Sequence, residues 1–233
     1  MRCAIMQPTY LPWAGYFNLI SEVDKFVFLD DVQFDRRSWQ SRNRLWANGD
    51  VHWVTVPVKA GRRDQAISEI VIDDSQPWRD KHIKTMQHAY AKHPYRSELE
   101  AIFDIINDKR LTLLADLNMA IVNIIALKLS LSAVFYRASE LNACGRRSQH
   151  LLEICRQLEC DEYLSPVGSA DYLAEDGVFS ESGVQLLFQN YTPGVYVQKG
   201  RAEFESHLSV VDVIANLGWS ELAQYIKGAG GLK

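Results

Sequence analysis

Four short polar turns carry side chains able to hold a ligand or move a proton, and each follows an apolar run. The first is Gln7-Pro8-Thr9-Tyr10-Leu11-Pro12-Trp13-Ala14-Gly15-Tyr16, which combines an amide, aromatic rings and a glycine. A glycine just inside a helix costs stability unless something must approach the backbone closely. Free N–H groups at such a helix start suit an anion. For Trp13 and Tyr16 simple core packing is an equal alternative; for Gln7 and Gly15 the ligand role is favoured. The second turn, Asp30-Asp31-Val32-Gln33, ends an apolar strand in two carboxylates. Adjacent strand side chains point to opposite faces, so at most one of the pair addresses a given ligand. A cap or turn is the commoner fate of such an aspartate. The third, Arg137-Ala138-Ser139, offers a guanidinium and a hydroxyl. The fourth, Ser165-Pro166-Val167-Gly168-Ser169, has small residues whose N–H groups can cup a phosphate or carboxylate.

Two further groups add chemistry. Trp39-Gln40-Ser41-Arg42-Asn43 brings together a flat aromatic, two amides and a fixed cation, a mixture that holds sugars and nucleotides by stacking and hydrogen bonds. The plain alternative is a solvated loop around one tryptophan. Lys81-His82 supplies a candidate general base or phosphate grip, although an exposed basic helix face explains it as well. The chain has no GxxxxGK[ST] loop, no GxSxG elbow and no HExxH zinc pair, so classical hydrolase and metalloprotease chemistry is poorly supported and no metal site is expected.

The elements that position these turns follow from hydrophobic pattern. Cys3–Met6, Lys25–Leu29, Val134–Tyr136, Glu162–Leu164 and Val184–Phe188 are short apolar runs that read as buried strands. Trp13–Val23 reads as a helix, completing a strand-helix-strand unit that implies a parallel pair. Gln33–Asn48 is polar and aromatic, and its tail can pair as a hairpin with Val51–Val56. Trp78–Tyr90, Tyr95–Asn107 and Leu111–Leu131 read as helices, with Pro77 and Pro94 near helix starts where proline costs least. Arg146–Leu158 and Asp171–Phe179 are helical again. The alternation predicts one α/β domain over 1–233, a doubly wound parallel sheet, with residues 76–131 inserted as helices. Ligands of such sheets bind beyond the carboxyl ends of the strands, where the four turns should gather. The tail from Gly228 onward reads as fraying.

Composition narrows the class. Of the 233 residues 47% are hydrophobic and 23% charged, enough for one sizeable core and against disorder. A formal charge of −4 with both signs interspersed gives no sign of a nucleic-acid partner. The four cysteines, Cys3, Cys144, Cys155 and Cys160, fit neither a disulfide framework nor a zinc knuckle. Reduced thiols and the lack of a signal-peptide pattern point to a cytoplasmic protein. Leu111–Phe135 is the strongest membrane candidate, but Asp116, Asn118, Asn123 and Lys128 interrupt it, and a buried helix is the better reading.

The segments Gln7–Phe17, Phe28–Phe34 and Trp39–Asn43 resemble the WbqC-like family, as do Trp78…Lys81-His82, Arg137–Glu140, Tyr163–Ser165 and Leu208–Asp212. The resemblance covers nearly the whole chain. It implies a place in bacterial surface-polysaccharide (O-antigen) biosynthesis. A remoter similarity links the Thr9–Tyr16 turn to the HxGH signature of nucleotidyltransferase-like enzymes. It implies a Rossmann-like (nucleotidyltransferase/HUP-like) sheet, with ATP or a nucleotide-sugar as the bound cofactor. Trp13 and Tyr16 would stand where that signature has histidines, and neither supplies a histidine's charge.

Together these readings predict a transferase or ligase that passes an acyl or aminoacyl group to an amino-sugar. Gln7, Tyr10, Trp13, Gly15 and Tyr16 would bind the activated group, with Ser165, Gly168 and Ser169 opposite. Asp31 or His82 would be the base, with Tyr16 beside them among the catalytic residues, and Arg42 would hold an anionic group. Gln33, Trp39, Asn43, Lys81, Arg137 and Ser139 would complete the site. The rival reading is a non-catalytic nucleotide- or sugar-binding scaffold of the same pathway; a third, plain nucleotidyl transfer, is weakened by the missing histidines.

Overall fold

The computed structural model describes residues 1–201 and 203–228; apart from Gly228, the tail expected to fray lies outside the described residues. The strands are β1 (Arg2–Met6), β2 (Lys25–Phe28), β3 (Arg42–Ala47), β4 (Asp50–Thr55), β5 (Val134–Arg137), β6 (Glu162–Ser165) and β7 (Gln185–Phe188). The helices are α1 (Ala14–Ser21), α2 (Trp78–Ala89), α3 (Glu100–Asn107), α4 (Leu114–Lys128), α5 (Ser148–Gln157), α6 (Ala170–Asp176) and α7 (Val210–Tyr225). The five apolar runs form one sheet in the order β5-β2-β1-β6-β7, with every pairing parallel. As expected, β3 and β4 form an antiparallel hairpin, in register from Arg42↔Thr55 to Ala47↔Asp50.

Parallel strands covered on both faces bury both sets of alternating side chains. Ala4, Phe26, Phe28 and Leu164 face a core shared with Phe17 and Leu19 of α1, Ile121 of α4 and Ile214 of α7. Cys3, Ile5, Val27 and Tyr163 face the opposite core, with Leu151 and Cys155 of α5 and Leu173 of α6. Helices α1, α4 and α7 therefore lie on one face and α5 and α6 on the other. Strand order reverses between β1 and β6, the place where such sheets leave a crevice at their carboxyl ends. The β1–β6 ladder carries only Arg2↔Glu162 and Cys3↔Tyr163, whereas β1–β2 runs from Cys3↔Lys25 to Met6↔Phe28. Pairing stops early, and β1 and β6 part where Gln7 and Ser165 stand.

Helices α2, α3 and α4 intervene between β2 and β5, together with the hairpin. The expected Tyr95–Asn107 helix is split into a 3₁₀ turn at Arg96–Leu99 and α3. The helix expected to reach Phe179 stops at Asp176, because Gly177 takes a left-handed cap at φ 62°. Nothing in the apolar pattern had assigned α7, yet Val210, Val211 and Ile214 are core residues and the Ser209 hydroxyl caps the Val211 N–H at 3.3 Å. Among the described residues no helix is long and apolar enough to cross a membrane.

Candidate functional site

Where β1 and β6 part there is a cavity of about 460 Å3. Its floor is Ile5, Met6, Leu29, Leu151 and Tyr163, and its walls carry Gln7, Trp13, Tyr16, Trp39, Asn43, Ser165, Ser169, Tyr172 and His207. None of the lining residues is Lys, Arg, Asp or Glu. Aromatic faces with a few fixed amides and hydroxyls are the usual makings of a small-ligand site.

Each polar wall is held by a second residue. The buried Gln40 donates its side-chain N–H to Gln7 Oε1 at 2.9 Å and accepts the Asp35 N–H at 3.0 Å. With its oxygen engaged, the Gln7 amide presents N–H donors. Asn118, buried in α4, donates to Pro8 O at 3.0 Å and Gln40 O at 2.8 Å, tying both loops to one helix. Tyr16 donates to Gln7 O at 3.1 Å, and burial pushes its pKa far above the ordinary phenol value. Across the cavity the Ser165 and Ser169 hydroxyls are 2.6 Å apart.

The Trp13 indole lies against the His207 ring, 4.6 Å between centroids and tilted by 35°. His207 has a left-handed backbone, φ 59°, uncommon for a non-glycine residue and often found at functional positions. Arg44 donates to the carbonyls of Ser206 (3.3 Å) and His207 (3.1 Å) and pins that conformation. His207 Nδ1 meets Ser206 Oγ at 2.8 Å. If Nδ1 is the donor, Nε2 is left as an acceptor.

A family model described as the WbqC-like protein family matches residues 7–224. This chain belongs to the WbqC-like protein family. The uncharacterized protein Rv1507c of Mycobacterium tuberculosis (strain ATCC 25618 / H37Rv) is 29% identical over 228 residues, 97% of each chain. No solved structure matches the chain.

In this WbqC-like chain several expected site residues do not border the cavity. His82 is buried between α2 and Tyr10, whose hydroxyl meets its Nδ1 at 2.9 Å, and burial lowers its pKa to about 4. It has no path to a substrate in the cavity, and Tyr10 is equally enclosed. Lys81 is exposed on α2 beside a separate groove that includes Lys84 and His88. The two adjacent aspartates, expected at the end of the strand, lie just beyond β2, which stops at Phe28, and they take different partners. Asp30 is fully buried and accepts from Arg137 Nε and Nη2, at 3.0 and 2.9 Å, and from the Ser139 N–H and hydroxyl. Arg137 also reaches Asp116 at 3.0 Å. Arg137 and Ser139 thus tie the ends of β2 and β5 together and do not line this cavity.

Asp31 Oδ2 lies 2.9 Å from His150 Nε2 without the alignment a hydrogen bond needs, so the contact is chiefly one of charge. The Asp31 carboxylate raises the His150 pKa above the ordinary value against the lowering by burial. Neither Asp31 nor His150 lines the cavity. Gln33 is exposed and donates to Arg63 O at 2.9 Å. Gly168 is exposed, with nothing within 4 Å of where a Cβ would stand. Gly15 does serve a close approach, but of the Trp13 indole, which comes within 2.2 Å of a Cβ built there. Arg42 projects from the outer face of β3 onto Trp53.

The cavity brings together Gln7, Trp13, Tyr16, Trp39, Asn43, Ser165 and Ser169 from the expected set. His207, Tyr172 and the supporting Asn118 were not foreseen as site residues; Gln40 was noted as one amide of the Trp39–Asn43 group, but not for its bracing of Gln7. Asn118 did leave a trace, as a buried amide interrupting an apolar helix. His207 left none beyond its place just before Leu208-Ser209.

Proposed function

We propose that this chain is a transferase of surface-polysaccharide biosynthesis that holds an amino-sugar in the cavity between β1 and β6 and transfers an acyl or aminoacyl group to its amine. One observation carries the reading: the cavity is walled by aromatic rings, amides and hydroxyls and has no fixed charge from Lys, Arg, Asp or Glu. A sugar's C–H faces stack on rings such as Trp13 and Trp39, and its hydroxyls exchange hydrogen bonds with Gln7, Asn43 and the Ser165–Ser169 pair. The position at the sheet's order reversal supports the Rossmann-like comparison.

His207 is the proton acceptor in this reading, since imidazole suits acid–base work near neutral pH. The amine nitrogen bonds to the acyl carbon, the donor's leaving group departs with its electron pair, and the amine's proton passes to Nε2. Adenylation with ATP fits poorly. The HxGH histidines are Trp13 and Tyr16, the Trp13 indole covers the first turn of α1, and Tyr16 OH is engaged by Gln7 O. A nucleotide-sugar is accordingly read as substrate.

The test scores His207→Gln and Trp13→Ala for binding of an amino-sugar nucleotide and for restoring polysaccharide in a strain lacking this gene. His207→Gln should bind within about threefold of the parent yet fail to complement, because its role lies in the transition state. Trp13→Ala should lose binding. Full complementation by both variants sinks the proposal. Complementation by Trp13→Ala without binding favours the scaffold reading.

A further inference from the structure

The cavity carries no fixed cation, but its mouth opens onto a face that does. Along β3, Asn43, Leu45 and Ala47 point inward, while Arg42, Arg44 and Trp46 point outward, opposite Thr55, Trp53 and Val51 of β4. Trp39 and Trp53 are 47% and 46% exposed, large for tryptophan, and their rings meet at 5.2 Å. Trp39 is also a wall of the cavity, so this aromatic shelf continues the mouth outward.

The outward arginines are not equivalent. Arg44 is engaged by Glu205 at 3.6 Å and by the carbonyls of Ser206 and His207. Arg201 lies over Trp46 at 3.8 Å and pairs with Glu205 at 3.4 Å. Arg42 lies 4.2 Å over Trp53, and among the described residues it has neither an ion pair nor a hydrogen bond to its side chain. Its Nε is buried without a partner. A partly desolvated guanidinium held over an indole, with its N–H donors unused, is a ready partner for a phosphate. Arg36 and Arg37, both exposed, immediately precede Ser38 and Trp39 of the cavity wall and add positive charge to this side of the chain.

We propose that the Arg42–Trp53–Trp39 shelf is the anion subsite of this cavity, and that the ligand is a sugar joined to a diphosphate. This rests on the reading of the cavity as a sugar site and adds the class of carrier. The sugar enters between β1 and β6, and the diphosphate lies across Arg42 at the mouth. Whatever follows the diphosphate, a nucleoside or a prenyl chain, meets the exposed indoles.

The experiment is calorimetric titration with free glucosamine, inorganic pyrophosphate, UDP-glucosamine and a short-chain prenyl diphosphate glucosamine. Parent protein, Arg42→Met, Arg42→Lys and Trp13→Ala are compared. The parent should bind the diphosphate-linked sugars at least about tenfold more tightly than the free sugar, with affinity falling as salt rises. Arg42→Met keeps a stem on Trp53 and removes the charge. It should erase that advantage and leave free-sugar affinity and melting temperature unchanged, while Arg42→Lys restores part of it. Undiminished binding of both linked sugars by Arg42→Met overturns the subsite and leaves the sugar reading intact. Equal losses for free and linked sugars, with a lowered melting temperature, mean that Arg42 is structural and overturn it as well. Pyrophosphate binding that depends on Arg42, without sugar binding that depends on Trp13, keeps the subsite and removes the sugar reading. No binding of any probe overturns both. Preference between the two linked sugars identifies the carrier, and equal affinity means that the diphosphate alone is read.

Discussion

The Trp13 indole lies folded over Gly15, so close that a Cβ at Gly15 would stand 2.2 Å from the ring. A cavity wall therefore depends on a missing side chain at the start of α1. Gly15→Ala should displace the indole and destabilise the fold by about 1–3 kcal/mol of overpacking, less the roughly 1 kcal/mol that alanine gains in a helix. In a Trp13→Ala background the ring is absent, and the same substitution should become stabilising. Chemical denaturation of all four proteins of the cycle measures the reversal. The same sign in both backgrounds would show that Gly15 is not there for Trp13.

Asp30 and Arg137 close the sheet from the side away from the cavity. Every oxygen of the buried Asp30 carboxylate is taken by Arg137 or Ser139. Asp30→Asn leaves a half-buried guanidinium without its main counter-charge, and a loss of about 3–5 kcal/mol is expected. Ligand affinity of the protein that remains folded should be unchanged. Normal stability with weakened ligand binding would return Arg137 to the site.

His82 sets a pH dependence on stability. Its pKa falls from the ordinary 6.5 to about 4 on burial, so the unfolded chain binds the extra proton between these values. Stability is fully present above pH 6.5 and is lost as pH falls toward 4, by up to about 3 kcal/mol from this group. His150, raised by Asp31, acts in the opposite sense, stabilising at low pH and ceasing to do so as pH rises. His82→Gln keeps an acceptor for the Tyr10 hydroxyl and should flatten the acid limb. Urea unfolding at pH 7.5 and pH 5 compares the two proteins, and equal losses would assign the acid sensitivity elsewhere.

The sequence by itself determined the parallel sheet and the turns at its edge. Cys3–Met6, Phe26–Leu29 and Tyr163–Leu164 are runs of apolar and aromatic residues because both faces of each strand are covered, and Gln7 and Ser165 follow two of them. Gln7, Trp13 and Asn43 could be singled out because amides and large rings in such turns are unusual without a ligand or partner. Helix α7 escaped, since its apolar residues are broken at Gly218, whose φ of 76° interrupts the helical backbone. Only the tertiary structure separated binding from bracing. Asp30, Arg137 and His82 have the same side chains whether they face a substrate or each other, and their partners, Ser139, Asp116 and Tyr10, lie far away in sequence. His207 joined the cavity through a left-handed backbone pinned by Arg44, from a strand more than a hundred residues earlier. Burial and the choice of partner are properties of packing, and no local pattern encodes them.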